Sequence, residues 1–345
     1  MVATILLIIN WKVLADSSLS LVTHYYNMAP GLTITKPILA YEYLPTLDTT
    51  VNAKLTVDRV VTDFDSIDAI SGASQTQGSL VSETDVRQEY LADISHITGN
   101  WTVSSGFLVS LEGDYRSYSP SFAVARDFNQ RNTTLSIGYA HNYDSVHGRY
   151  MPSSKEKDVD NFAMSLTQIL SRNAISQIGF TRQYNEGFLG TGNRQLVLDN
   201  DAIYPEYLPS VRTRDAIGFR VAYWFDSDTT LKLSLQTYKD DWELSSNTFN
   251  AKLYQRLNSW LSLRGEYRHY SQSNAYFIKN SYTGSEQYLS SASALASFYS
   301  DLYGIKMVLK PELTYELKFE FKYEKYRQSK GLTGDIFMLS GQLQY

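Results

Sequence analysis

The chain has 345 residues, a formal net charge of −5 and no cysteine. Zero cysteine excludes disulfides, thiolate nucleophiles and Cys-type zinc or iron–sulfur sites, and an acidic chain without a basic cluster points away from nucleic acid. Hydrophobic residues at 43% and charged ones at 19% exclude a disordered or collagen-like chain.

The outlier is tyrosine, with 27 residues. It suits strands and water–lipid boundaries, where a flat apolar ring carries a polar tip.

The chain opens "MVATILLIINWKVLADSS", an apolar run from Val2 to Ile9 followed by small residues at Val13 and Ala15. Residues 1–15 therefore read as a secretory signal, although no Lys or Arg precedes the run; a buried first strand is the alternative. No stretch approaches the ~20 apolar residues of a membrane-spanning helix. Residues 16–345 show no linker, composition shift or fixed-period repeat, so they read as one domain.

From Ser18 onward the pattern has the two-residue period of strands. The first strand is "LSLVTHYYN". Tight-turn residues then recur at 45–48, 98–100, 129–132, 171–173, 226–228, 258–260 and 310–312. Between them come longer connections at 64–82, 147–158, 188–211 and 274–291, and shorter ones near 28–31, Tyr118 and 329–334. The tally is about sixteen strands, with the corner at Tyr118–Ser119 placed by parity. An even number sets both chain ends on the short-turn side, as membrane barrels require.

The cleanest strand spans 312–326. Leu313, Tyr315, Leu317, Phe319, Phe321 and Tyr323 share one face, and Glu316, Lys318, Glu320, Lys322 and Glu324 share the other. The chain ends "FMLSGQLQY", alternating up to Tyr345. A strand this committed needs a partner, and pairing with the first strand would leave no edge.

Three features favour a membrane barrel over a soluble sandwich with polar outer faces. Many strands are long enough for a tilted crossing of ~9–11 residues. Trp101, Trp224 and Trp260 sit beside short turns, with Trp242 at the far end of its strand and Tyr345 at the terminus, as in two interfacial aromatic girdles. Charges of both signs occupy mid-strand positions, which a wet lumen accepts and lipid does not. The expected fold is all-β: a transmembrane antiparallel up-and-down β-barrel of about 16 strands. Its short turns would be periplasmic and its longer loops extracellular, in a bacterial outer membrane.

Sixteen strands at ~40° tilt give a backbone radius near ~16 Å, which leaves an aqueous interior unless loops plug it. The expected lumen-lining residues are Glu316, Lys318, Glu320, Lys322, Arg264, Glu266, Arg268, Lys252, Arg256 and Arg220. Opposite charges along 312–326 can pair across strands as a structural lattice. Arg264, Arg268, Arg256 and Arg220 can instead form a positive wall that attracts anionic solutes.

The Gly-bearing stretch "NEGFLGTGNRQ" opens the longest expected loop, and no helix follows to make it a phosphate cradle. "DAISGAS" at 68–74 suits a loop folding toward the mouth. His24, His96, His141, His147 and His269 lack metal-ligand spacing, and no Ser–His–acid set stands out, so no catalytic residue, metal or cofactor is expected.

Several stretches resemble a family of uncharacterised bacterial outer-membrane proteins, the domain-of-unknown-function family thirty-five-seventy. They are "DAISGAS", "TQILSRNAISQIGFTRQYNEGFLGTGNRQ", "RTRDAIGFRVAYWF", "AKLYQRLNSWLSLRGEYRHYSQSNAYF" and "LYGIKMVL". In order they cover most of the chain after Ser18, and "YRHYSQSNAYF" is the most specific. The resemblance implies a barrel and brings no catalytic residue with it. Members of the family sometimes neighbour periplasmic redox and flavin-attachment functions, which implies a class of partner. The alternating C-terminal strand with its final aromatic also resembles the signal read by the barrel-assembly machinery.

The expected function is a passive channel for small polar or ionic solutes in a monomer embedded in outer-membrane lipids. The rival is a scaffold for a periplasmic, lipoprotein or redox partner that conducts little.

Overall fold

The protein is described by a computed structural model over residues 17–29, 31–62, 83–312 and 316–344. The expected signal segment 1–15, the loop 64–82 with its 68–74 stretch, and Tyr345 lie outside the described residues.

The first half of the wall is built from β1 (Ser17–Ala29), β2 (Leu32–Thr46), β3 (Thr49–Thr62), β4 (Glu83–Thr98), β5 (Trp101–Leu111) and β6 (Tyr115–Phe128). It continues through β7 (Thr133–Val146), β8 (Lys155–Ser171) and β9 (Ala174–Gly187). A small hairpin, β10 (Gln195–Val197) with β11 (Ile203–Pro205), sits in the next loop. The wall resumes with β12 (Val211–Phe225), β13 (Thr229–Asp240), β14 (Ser245–Arg256) and β15 (Leu261–Gln272). It ends with β16 (Phe298–Leu309), β17 (Glu316–Gln328) and β18 (Thr333–Gln344).

Every wall strand pairs antiparallel with its neighbours, and β18 pairs with β1 from Ser18↔Gln344 to Ala29↔Thr333. The sheet is a closed barrel of sixteen strands. Both described ends of the wall meet on the short-turn side.

Alternation decides which side chains meet what. On β5, Trp101, Val103, Phe107 and Leu111 point out, while Thr102, Ser104, Gly106 and Ser110 point in. The outward row is apolar around the whole circumference: Leu21, Tyr90, Phe122, Ile178, Leu235 and Ile305 are all at least 45% exposed. In water such a surface would aggregate, and hydrocarbon is the solvent it fits.

Near the loop end this apolar band stops at a repeated polar device. His141 faces Asp160 directly across β7 and β8, His269 faces Asp301 across β15 and β16, and Lys325 faces Asp335 across β17 and β18. The nitrogen–carboxylate distances are 2.8, 2.8 and 2.9 Å. In each case the tyrosine two residues toward the membrane, Tyr139, Tyr267 or Tyr323, donates its hydroxyl to the same aspartate. Arg182 and Asp215 add a fourth directly opposed outward pair at 2.7 Å. Charges are costly in hydrocarbon, so these pairs mark the upper edge of the lipid slab, with the tyrosines snorkelling up to it.

The tight turns fall at six of the seven expected places; residues 310–312 leave β16 as expected, but Leu313 and Tyr315, expected on the strand that follows, lie outside the described residues. One of them, Gly99–Asn100, closes β4 onto β5 with two residues, and Gly99 takes φ +60, a geometry that a side chain would strain. Two loop-side corners differ from expectation. Tyr118 lies inside β6, paired with Val109 and Tyr143, and the corner falls earlier, at residues 112–114. A further corner at residues 241–244, not among the expected connections, separates β13 from β14.

A lysine placed outward at mid-depth, Ile137→Lys, is expected to destabilise the barrel by roughly 2–4 kcal/mol. The inward neighbour Ser136→Lys is expected to cost under about 1 kcal/mol. Urea unfolding in lipid vesicles, followed by tryptophan fluorescence, measures both.

Candidate functional site in the barrel lumen

The inner face divides into two unlike arcs. Over β5 to β9 it carries small neutral residues, among them Ser121, Ala123, Gly138, Ala163, Ser165 and Gly179. Short side chains leave space, and a recess of about 380 Å³ lies against this arc.

The other arc, over β15 to β18 and on through β1 to β4, is ionised. Arg264, Lys306 and Lys322 stand directly across from one another in one row. Like charges at that spacing repel, and carboxylates in the adjoining rows offset them. Glu266 meets Arg264 at 2.8 Å, Glu324 meets Lys322 at 2.9 Å, and Glu320 meets Lys306 at 2.5 Å and Lys318 at 2.7 Å. Farther round, fully buried Asp58 accepts from both Lys36 and Arg87. This arc is the ion-pair lattice, and it extends well beyond the 312–326 strand.

Between the arcs, on β12 to β15, the pattern breaks. Arg220, Ser234, Asn250 and Arg268 occupy one cross-strand row, and Lys232 faces Lys252 in the row beneath, toward the short turns. These six residues, with Gln177, Thr248 and Tyr254, line a recess of about 660 Å³ whose lining contains four cations and no carboxylate. Lys252 reaches Glu266 at 3.3 Å, and Lys232 lies 4.9 Å from the centre of the Tyr254 ring. Arg220, Lys232 and Arg268 have no carboxylate partner among the described residues. The two recesses share Gln177 and Arg220, so they form one wetted strip.

Above this strip the loops interlock. Trp242 is buried in an apolar cluster with Leu244, Ala275, Phe277, Ala292 and Leu295. Its indole N–H donates to the Val211 carbonyl at 2.9 Å, and the Arg212 guanidinium lies 4.1 Å from its ring centre. Asp240 anchors that corner by accepting from Arg212, from the Tyr238 hydroxyl and from the backbone N–H groups of Trp242 and Leu244.

The connection 188–210 bridges to 273–297 through paired backbone bonds between Tyr207 and Leu289 and through the Ser290 hydroxyl on Glu206. Gly192, at φ +72, lies against Gly148 and Met151 so closely that a Cβ there would strike the Met151 sulfur. Farther along, Glu286 accepts from Lys279 and from the N–H groups of Thr283 and Gly284. Desolvation pushes its carboxyl up, but the backbone N–H donors and Lys279 outweigh that and hold it down at about 2. On the opposite side of the mouth, inward Met28, Leu32, Ile34, Val60, Leu302, Tyr326 and Ile336 form a second apolar cluster.

The expected site residues thus separate. Lys318, Glu320, Lys322, Arg264 and Glu266 stand in the lattice; Arg220, Lys252 and Arg268 line the basic recess. Glu316 is exposed at the start of β17, and Arg256 leaves the wall to pair with Asp228 in a short turn. Arg264 and Arg256 therefore do not contribute free positive charge to a wall.

Trp101 faces outward with Arg126 over its ring, and Trp260 is exposed at a short turn. Trp224 shares the inward pleat of Arg220, so it belongs to the lumen rim and not to an outer girdle. Trp242 is corrected outright: it is 3% exposed beneath the loops. Lys232, Lys36, Asp58, Arg87 and Lys306 are additions. Lys232 was visible on the polar face of its strand, but its lack of a partner depends on register across β12 to β15.

A closed sheet with an apolar outside and an ionised inside is an outer-membrane β-barrel. The sequence profile described as "Protein of unknown function (DUF3570)" matches residues 68–344, and the chain belongs to that family. Among solved structures it is similar to a bacterial polysaccharide outer membrane secretin, at 7% identity with TM-score 0.53, covering 95% of this chain and 98% of that one. It is also similar to a loop-deletion variant of OmpT, an outer membrane protein of Vibrio cholerae, at 8% identity and TM-score 0.51, covering 96% and 98%. OccD3 of Pseudomonas aeruginosa gives 8% identity and TM-score 0.50, with 96% and 92% covered. At these identities the likeness is one of fold. No curated protein matches the sequence.

Asp58 is the buried carboxylate that Lys36 and Arg87 share, so its removal takes their common partner out of the wall. Asp58→Leu is expected to destabilise the folded barrel by about 3–5 kcal/mol, measured by urea unfolding in detergent.

Proposed function

We propose that this barrel is a passive channel for small polar and ionic solutes. The wetted strip carries the reading: a neutral small-residue arc and a basic recess share lining residues along the inner wall, facing a lattice of paired charges. Small side chains leave a path open. Fixed charges keep that path hydrated and set the field through which a solute diffuses.

The interlocked loops 188–210 and 273–297 cover part of the mouth above the strip and narrow the way in. In this reading the chain works as a monomer surrounded by lipid, with β18 both closing the wall and presenting the terminal strand to the assembly machinery.

Purified protein in a planar bilayer tests the proposal. Steady ohmic openings are expected, and a silent bilayer with a co-purifying periplasmic or lipoprotein partner would support a scaffold in its place. Trp242→Ala removes the centre of the loop cluster, a truncation worth about 3–5 kcal/mol of local packing. It is expected to raise single-channel conductance while leaving ion selectivity unchanged.

A further inference from the structure

We infer that the recess on β12 to β15 is a binding site for small organic anions, built from Arg220, Lys232 and Arg268 with Lys252, Ser234 and Asn250. As a statement about permeation it rests on the channel reading above; as a statement about binding it does not.

The first argument is what these cations lack. Arg220, Lys232 and Arg268 meet no carboxylate among the described residues, whereas Lys36, Lys306, Lys318, Lys322 and Arg264 of the ionised arc each meet one within 3.3 Å, as Lys252 does through Glu266. The recess lining holds four cations and no acid. Lys232 and Lys252 even sit directly opposite each other across β13 and β14. Like charges in that position destabilise a sheet; Lys252 is held by Glu266 on its other side, but Lys232 has no such partner among the described residues. Glu266 offsets Lys252 from one side, and a solute anion offsets the charge left on Lys232, Arg220 and Arg268.

Geometry gives the second argument. Arg220 and Arg268 lie at the two ends of one cross-strand row, three strand spacings apart, or about 14 Å between backbones. Two extended arginines can close on a solute a few ångströms across, with the lysine pair beneath it. Ser234 and Asn250 between them offer neutral hydrogen-bonding groups for the rest of the molecule.

Planar guanidinium forks match the paired oxygens of a carboxylate or a phosphate. The ligand class is therefore a small molecule carrying one or two such groups. The site sits in an open lumen, so exchange is rapid and binding weak, as permeation requires.

The test compares wild type with the triple variant R220Q/R268Q/K232Q and with K318Q, which alters a lattice cation outside the recess. Retained heat-modifiable gel migration shows that each variant is folded, and the single variants R220Q and R268Q stand in if the triple variant is not. In a bilayer under a potassium chloride gradient, wild type and K318Q are expected to favour chloride, and the triple variant to lose most of that preference. Succinate and inorganic phosphate are then added separately to the bath, and their block of the chloride current distinguishes carboxylate from phosphate as the preferred group. Titration calorimetry of the detergent-solubilised protein with the same two probes reads binding without conduction. Each arginine replacement is expected to weaken it roughly tenfold or more, the loss of one charge-assisted hydrogen bond.

Ohmic conductance with equal selectivity in wild type and the triple variant, and no calorimetric binding, overturns the site and leaves the channel standing. A silent bilayer with binding that the triple variant abolishes supports the site and overturns the channel.

Discussion

Every backbone N–H and C=O that enters hydrocarbon needs a partner inside the protein, because lipid offers none. The pairing of β18 with β1 meets that demand at the one place where a sheet would otherwise end. All else follows from the closure. It fixes which side of each strand meets lipid, forces ionised side chains inward, and brings residues from distant parts of the chain into the same cross-strand rows.

Those rows explain how the lumen acquires two characters. Lys36, Asp58 and Arg87 come from three consecutive strands and settle into one buried group, while Arg264, Lys306 and Lys322 are held in line by the carboxylates around them. Such pairs add little stability where water reaches them, but they fix register and leave little net field. The basic recess is the exception, and the small-residue arc beside it keeps that exception accessible. One side of the lumen is therefore structural and the other is left to solute.

Much of this was legible in the sequence because period-two alternation and tight-turn residues are local signals. Six of the short turns and the lipid face of β17 could be read from neighbouring residues. The corner at 241–244 was not, since Asp240 and Trp242 look like the polar and aromatic end of a strand. Only the folded loops show Trp242 roofed by Phe277 and Leu295. The corner assigned to Tyr118 failed for the opposite reason: Ser119 and Pro120 are turn-forming residues that here lie within β6, outward Pro120 facing Phe107.

Charge pairing was the least legible property. That Arg264 is spent on Glu266 while Arg268 is not depends on side chains from β14 and β16 as well as β15. Sequence order alone placed both arginines on the same wall, and only the register separates them.

The alternation of water and lipid along a single strand is the claim to test most directly, and a chain without cysteine gives a clean background for it. Ser234→Cys and Leu235→Cys, adjacent on β13, can be labelled with a fluorescent maleimide in reconstituted vesicles. Label at 234 is expected to react readily with the water-soluble reagent and to resist a quencher carried in the acyl chains, with 235 showing the reverse. Equal reactivity and equal quenching at the two positions would contradict a barrel whose apolar face looks into the membrane and whose polar face looks into water.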